Sequence, residues 1–252
     1  MKKQPIGILD GGFEGINIFE NLVKKYPNES FIYINDIQNY PYEGKEIELI
    51  NELVKKNIDE LLARDVQCII CVNSSIIEYC IELFDNINIP KIMIVNSIIN
   101  YVNLNFEQKN MVLLAKEYIL KANLFQKNFR YNHLYNIASD ELEDVIFDRN
   151  VKTAKSFAKT REVLKSAIGK DVDLFIIVDS FLENLNIEFK EYCNYTTFLD
   201  LTNIINGELL SKNFVFSTKG KGKKLILSNI DKKEFFKRVY WIGKYNFEKL
   251  GE

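Results

Sequence analysis

Three short loops combine residue types that could move a proton or bind a small anion. They are Asp10-Gly11-Gly12, Asn73-Ser74-Ser75 and Asp179-Ser180-Phe181. An aspartate carboxylate can act as a general base, and glycines let the backbone approach a ligand closely. Asn and Ser at a helix start can bind a carboxylate there, although they also serve as ordinary helix caps. Each loop therefore has a catalytic or binding interpretation and a purely structural one.

Each of these loops follows a short apolar run that reads as a buried strand. The runs are Ile6 to Leu9, Cys68 to Val72 and Leu174 to Val178. They alternate with segments of helical period, such as Glu46 to Leu62. This alternation predicts an α/β fold in which parallel sheets are covered by helices on both faces.

The strand and helix pattern restarts near Met111, which indicates two doubly wound, flavodoxin-like domains. We predict that residues 1–97 plus 213–252 form the first domain and that residues 98–212 form the second. Phe214 to Ser217 is a candidate last strand, and Lys232 to Trp241 a closing helix. Ligands in such sheets bind beyond the carboxyl ends of the strands.

The strand ends therefore predict one cavity between the two domains. We expect it to contain Asp10, Asn73, Ser74, Asp179 and Ser180.

Composition excludes several classes of protein. The 252 residues are 47% hydrophobic, too apolar for a disordered chain, and a net charge of −2 indicates no nucleic acid partner. No apolar run approaches the length of a membrane span, and the first residues show no secretory signal. The four cysteines do not form a disulfide framework in a chain this long, so we expect a cytoplasmic protein.

Other conspicuous residues carry weaker signals. Cys68 and Cys71 form a Cys-x-x-Cys motif on a strand, with no second pair to complete a metal site. The lysine- and glycine-rich segment from Lys219 to Lys224 lacks the spacing of a phosphate-binding loop and reads as a solvated loop. His133, the only histidine, lies among aromatic residues and suits packing. We predict no metal and no cofactor.

Taken in order, the loops resemble the aspartate/glutamate racemase family, most closely the bacterial glutamate racemases. The family opens with a strand and a Gly-rich turn, which match Ile6 to Gly15 with Asp10 at the family's aspartate. The Asn-Thr of the family's Cys-Asn-Thr motif corresponds to Asn73-Ser74, and its Cys-Thr-His motif to Asp179-Ser180-Phe181. The resemblance covers most of the chain.

A middle segment strengthens the resemblance, since the family's Tyr-x-Gly-Asp and Pro-Tyr-Gly sequences are partly kept. The matching residues are Tyr33, Asp36, Pro41 and Tyr42. Other positions differ from the family: Gly11 replaces a serine, Glu43 a glycine, and Tyr118-Ile119 a Gly-Thr pair.

The resemblance implies two α/β domains facing each other across a central, dry cleft that accepts a small dicarboxylate. Members of the family racemise without a cofactor, and many are dimers, which implies a homodimer here. The implied ligand-binding residues are Gly11, Pro41, Tyr42, Asn73, Ser74 and Ser180.

The departures from the family bear on catalysis. Family members use two cysteines on opposite sides of the α-carbon, and here those positions hold Val72 and Asp179. The histidine beside the second cysteine is Phe181, whereas Asp10 is kept as an assisting group. Cys71 could replace the first cysteine only through a one-residue shift, which would reverse its side-chain face. Glu14, Glu43 and Asp179 add negative charge near a site for a dianion.

Several hypotheses follow. The first is a glutamate racemase-like protein that is not an active two-cysteine racemase, with its cleft repurposed for a small molecule or a partner protein. The second is an isomerase, lyase or decarboxylase that uses Asp179 as a single base, with Asp10 assisting. The third is a glutamate racemase with an unorthodox site. A purely structural role completes the set.

Overall fold

The computed structural model describes residues 4–193 and 195–251, which fold as two units. The first unit ends at Ser97 and resumes at Thr202, and the second is Ile98–Leu201. The division between them falls inside helix α4 (Ile94–Asn105) and at the start of helix α9 (Leu201–Ser211).

The first unit contains a six-stranded, fully parallel sheet. Its strands are β1 (Ile6–Leu9), β2 (Phe31–Asn35), β3 (Cys68–Cys71), β4 (Lys91–Met93), β9 (Lys224–Ser228) and β10 (Asn246–Lys249). They lie in the order β10-β9-β2-β1-β3-β4. The further helices of this unit are α1 (Ile16–Lys25), α2 (Ile47–Ala63), α3 (Ser74–Cys80) and α10 (Lys232–Arg238). Strands β1, β2 and β3 are buried along their whole length, which is why they read as continuous apolar runs.

The second unit contains a four-stranded parallel sheet in the order β6-β5-β7-β8. Its strands are β5 (Lys109–Ala115), β6 (Tyr131–Ala138), β7 (Leu174–Ile177) and β8 (Thr197–Phe198). Its helices are α5 (Glu117–Ala122), α6 (Glu143–Phe147), α7 (Ala154–Val163) and α8 (Asn186–Tyr192). The prediction of an α/β fold with two parallel sheets is therefore confirmed.

The expected strand at 214–217 was wrong, because that segment forms no ladder. Phe216 instead stacks on Tyr26 with ring centroids 3.5 Å apart, and the Ser217 amide donates to Glu29 Oε2 over 2.8 Å. Strands β6 and β10 were missed. Both are edge strands with mostly exposed side chains, so neither carries an apolar run.

Helix α9 belongs almost entirely to the first unit, whereas we expected it in the second domain, which was predicted to end at residue 212. Side-chain hydrogen bonds explain the difference. Thr202 accepts from Asn21 over 3.3 Å, and Asn206 accepts from the Tyr26 hydroxyl. These contacts join α9 to α1, and no local sequence pattern encodes them.

No helix within the described residues is long and apolar enough to cross a membrane. All four cysteines are buried and free of disulfide bonds.

The turn between β1 and α1 packs directly on the residue that follows β3. Gly15 has φ −99° and ψ 6°, which any residue can adopt. A methyl group at position 15, however, would lie 2.0 Å from Cγ2 and 2.5 Å from Cβ of Val72. Gly15 is therefore required by the close approach of Val72 rather than by its backbone conformation.

We expect Gly15→Ala to lower the free energy of unfolding by about 1–3 kcal/mol, because the added methyl group overpacks the contact with Val72. Gly207→Ala is the matched control, since nothing lies within 4 Å of a methyl group there. In helix α9 this control should be neutral or stabilise by up to about 1 kcal/mol. Urea unfolding of both variants measures the difference, and equal stability would contradict the packing argument.

Candidate functional site

Three neighbouring strands bring the polar residues of the first unit together. Strand β1 pairs with β2 on one side and β3 on the other. Asp10 follows β1, Tyr33 lies on β2, and Asn73 follows β3. Asn73 also caps α3, because its Oδ1 accepts from the Ile76 amide over 3.0 Å.

Asp10 is fully buried and its two oxygens accept hydrogen bonds from three directions. Oδ2 accepts from the Gly15 amide and from the Tyr33 hydroxyl, each over 2.7 Å. Oδ1 accepts from Asn73 Nδ2 over 3.3 Å. The aspartate predicted from the sequence is thus a central member of a buried network.

Glu14 completes this network, and sequence reasoning did not place it in the site. Its side chain is 3% exposed, and Oε2 accepts from Asn73 Nδ2 over 2.9 Å and from the Gly12 amide over 3.2 Å. The residue was considered only for its charge. Its proximity to Asn73 depends on the pairing of β1 with β3, which no local signal reveals.

The two carboxyl groups share a low-dielectric environment. Burial, followed by the charge of Glu14, raises the pKa of Asp10 from 3.8 to about 8. Burial beside Glu14 therefore favours the protonated form of Asp10 more than in an ordinary aspartate. Burial also raises the pKa of Tyr33 well above its usual value, so its hydroxyl remains a donor.

Aromatic rings cover the glycine turn. A methyl group at Gly11 would lie 2.8 Å from Tyr40 Cδ2, and one at Gly12 would lie 2.8 Å from Tyr40 Cδ1. Tyr42 is buried, and its hydroxyl donates to Asp36 over 3.4 Å. Pro41, expected to bind ligand, is exposed. A serine at position 11 would not fit beneath Tyr40 in this arrangement.

Glu43 was expected to add negative charge near the site. Its side chain is exposed to solvent, which screens its charge.

The residues at the end of β3 offer no reactive thiolate. Val72 is 2% exposed and packs on Gly15. Cys71 is buried, its Sγ donates to the Asn73 carbonyl over 3.8 Å, and burial raises the pKa of its thiol above the usual range. A protonated thiol is a poor base and a poor nucleophile. Ser74 is 4% exposed, and its Oγ has no hydrogen-bond partner among the described residues.

Asp179 and Ser180 lie in the second unit, at the carboxyl end of β7. Both are buried, and the Asp179 carbonyl accepts from the Leu182 amide over 3.0 Å. The neighbouring strand β5 ends just before Lys116, which sequence reasoning missed. Lys116 is 8% exposed and its Nζ lies 2.7 Å from Glu143 Oε1.

Phe181 takes part in apolar packing. Its ring is 2% exposed and stacks on Phe147, with centroids 5.6 Å apart and an interplanar angle of 13°. A phenyl ring in this position cannot relay a proton to or from Asp179.

The remaining motif residues do not form a metal centre. His133 lies on the edge strand β6, where its exposed ring contacts Tyr135 with centroids 4.3 Å apart. Within residues 4–193 and 195–251, no three His, Cys, Asp or Glu side chains are grouped so that they could hold a metal ion.

Comparison with known proteins gives a consistent set of relatives. The chain is 25% identical over 199 residues to the glutamate racemase of Lactobacillus acidophilus, covering 77% of this chain and 74% of that protein. Glutamate racemase from Bacillus anthracis has a TM-score of 0.84 at 16% identity, covering 99% of this chain and 98% of that one. Glutamate racemase from Francisella tularensis, solved with D-glutamate, has a TM-score of 0.79 at 18% identity, covering 98% and 97%. No protein-family model matches the chain.

The chain therefore has glutamate racemases among its homologues, and its fold is that of the Asp/Glu racemase family. It is a glutamate racemase-like protein by sequence and by structure.

The buried Asp10 predicts that the protein becomes less stable as the pH rises. An acid whose pKa is raised by folding, here from 3.8 to about 8, contributes stability that is complete below the unfolded pKa and is lost as pH rises through the folded pKa. Urea unfolding between pH about 5 and about 8 should show this loss. Asp10→Asn carries no titrating group, so its stability should fall less over the same range. An equal fall in both proteins would contradict the assignment to Asp10.

Proposed function

We propose that this glutamate racemase-like protein does not racemise glutamate and that its fold serves binding, of a small molecule or of a partner protein. The hydrogen bonds of Glu14 at the strand ends of the first unit are the observation that carries this proposal.

Glu14 occupies the donors that a bound carboxylate would need in the first unit. Asn73 Nδ2 and the Gly12 amide both donate to Glu14 Oε2. The Gly15 amide and the Tyr33 hydroxyl donate to Asp10. A ligand carboxylate would find these donors engaged and would meet the negative charge of Glu14. This arrangement argues against binding a dicarboxylate amino acid at these residues.

The side chains also lack the pair of acids and bases that inversion requires. The α-proton of an amino acid is a very weak acid, so its removal needs a placed base and its return needs an acid on the opposite face. Val72 has no exchangeable proton, and Cys71 keeps its thiol proton because burial raises its pKa. Asp179 is the remaining candidate base, and its neighbour Phe181 is packed against an aromatic ring.

We expect no exchange of the α-proton of L- or D-glutamate when the protein is incubated in deuterated buffer. Proton NMR of both enantiomers, and of aspartate, measures the exchange. Rapid exchange with racemisation would overturn the proposal in favour of an unorthodox racemase. Exchange of one enantiomer alone would favour the enzyme that uses Asp179 as a single base.

Restoring two thiols should not be sufficient for activity. The double variant Val72→Cys with Asp179→Cys should show no α-proton exchange in the same assay. Glu14 still accepts the hydrogen bonds of Asn73 Nδ2 and the Gly12 amide, which a ligand carboxylate would need. A triple variant that also carries Glu14→Ala is the comparison protein, because it frees Asn73 Nδ2 and the Gly12 amide to bind a ligand. Activity of the double variant alone would show that the missing thiols were the sole obstacle.

Glu14→Ala should create a binding site for a carboxylate, because it releases Asn73 Nδ2 and the Gly12 amide. Two recovered hydrogen bonds to a charged group correspond to a gain of about tenfold or more in affinity for glutamate. Titration calorimetry with both enantiomers measures the gain. Glu14→Gln is the control, since its amide oxygen keeps the donors occupied while the charge is removed. If Glu14→Gln gains as much affinity as Glu14→Ala, charge rather than occupancy excludes the ligand.

A further inference from the structure

Two adjoining grooves on the first unit carry a concentration of positive charge. The first groove, of about 740 Å³, lies along α10 and the segment that follows it. Its lysines are Lys232, Lys233, Lys237 and Lys244. This groove is formed entirely by residues that the candidate site does not use.

The second groove, of about 570 Å³, shares Lys244 and Tyr245 with the first. It adds Lys221, Lys223 and Lys224 from the lysine- and glycine-rich loop. We call the two together the lysine grooves. Among the described residues, seven lysines and no Asp or Glu line them. The pKa of Lys224 is lowered first by burial and then by the nearby charge of Lys221, whereas the charge of Glu29 raises it.

Carboxylates lie near the lysine grooves, but none is among the described residues that line them. Glu20 accepts from the Tyr245 hydroxyl over 2.6 Å and from the Gly243 amide over 3.1 Å, and it pairs with Lys24. Glu234 pairs with Arg238 on the same helix. Among the described residues, the charged side chains that line the grooves are therefore all lysines, although the charge of Glu29 acts on Lys224 from nearby.

Aromatic rings line the grooves together with the lysines. Phe236, Tyr240 and Tyr245 line the first groove and are half-buried, so each keeps part of its ring accessible. Tyr245 is also shared with the second groove. The accessible parts of such rings offer surfaces on which planar groups can stack.

We propose that the lysine grooves bind single-stranded nucleic acid. Lysines lining two adjoining open grooves suit a chain of phosphates, and the aromatic rings in the same lining suit the faces of unpaired bases. Lysine binds phosphate as a point charge, so the expected recognition is independent of sequence. The concave shape favours a narrow polymer over a flat membrane surface, and the aromatic rings favour nucleobases over an acidic peptide. The inference stands apart from the proposed function, because it uses none of the same residues.

Fluorescence anisotropy of a labelled oligothymidylate of about 20 nucleotides tests the proposal on the full chain. Binding should weaken as salt rises from about 50 to about 200 mM, with a slope of about −0.7 per phosphate contact. Replacing Lys221, Lys232, Lys233 and Lys244 together by Gln should reduce affinity at least about tenfold and make the salt dependence shallower.

The matched control replaces four exposed lysines outside the grooves by Gln and removes the same charge. These are Lys45, Lys155, Lys165 and Lys170. The control should bind nearly as well as the unmodified protein, and thermal unfolding checks that both variants are folded. Equal loss of affinity in the two variants would show that only net charge matters and would overturn the proposal.

Phe236→Leu separates stacking from charge, because it keeps an apolar side chain but removes the ring. It should lower affinity about fivefold while leaving the salt dependence unchanged. No binding by the unmodified protein at low salt would overturn the proposal. Stronger binding to a duplex of the same length, or displacement of the oligonucleotide by polyglutamate at equal charge, would also overturn it, assigning the grooves to duplex nucleic acid or to an acidic protein.

Discussion

The buried hydrogen-bond network of Asp10 and Glu14 is the constraint on which the first unit is built. Two carboxyl groups in a low-dielectric interior cannot both be charged without strong compensation, and here burial and the charge of Glu14 raise the pKa of Asp10. The compensation comes from Asn73, Tyr33 and amides of the glycine turn. The same network holds the turn against the end of β3, and this packing leaves no room for a side chain at position 15.

Under the proposed function, this network lets the fold persist without the chemistry of the glutamate racemases. A carboxylate supplied by the protein itself satisfies the donors that a ligand's carboxylate would otherwise satisfy, so the polar turn stays stable without a ligand. Under that proposal, with Glu14 in this role, catalysis does not constrain the residues at the former cysteine and histidine positions. Val72 and Phe181 are both packed as apolar core residues. Fold and activity are separable because activity depends on a few side chains placed on a shared frame.

The net charge of the chain does not show how its charged residues are distributed over the surface. A value of −2 for the whole chain results from 33 basic and 35 acidic residues, and it says nothing about where they lie. The fold gathers lysines from a loop, a helix and a later segment along two connected grooves. Acidic residues of the same region are engaged in local pairs, such as Glu20 with Lys24. Local separation of charge, rather than the total, decides what such a surface attracts.

The sequence by itself determined the α/β class, the buried central strands and the placement of Asp10, Asn73 and Asp179 after strands. These features follow from apolar runs and from the helical spacing of apolar residues. Both patterns lie within a single strand or helix and can be read from the local sequence. Only the tertiary structure shows that α9 belongs to the first unit and that β6 and β10 form the edges of the two sheets. It alone also shows the hydrogen bonds of Glu14. The position of Lys221 and Lys244 in the lining of the same groove is likewise visible only in the tertiary structure. Each of these depends on which elements become neighbours, and that is set by side-chain contacts between segments far apart in the chain.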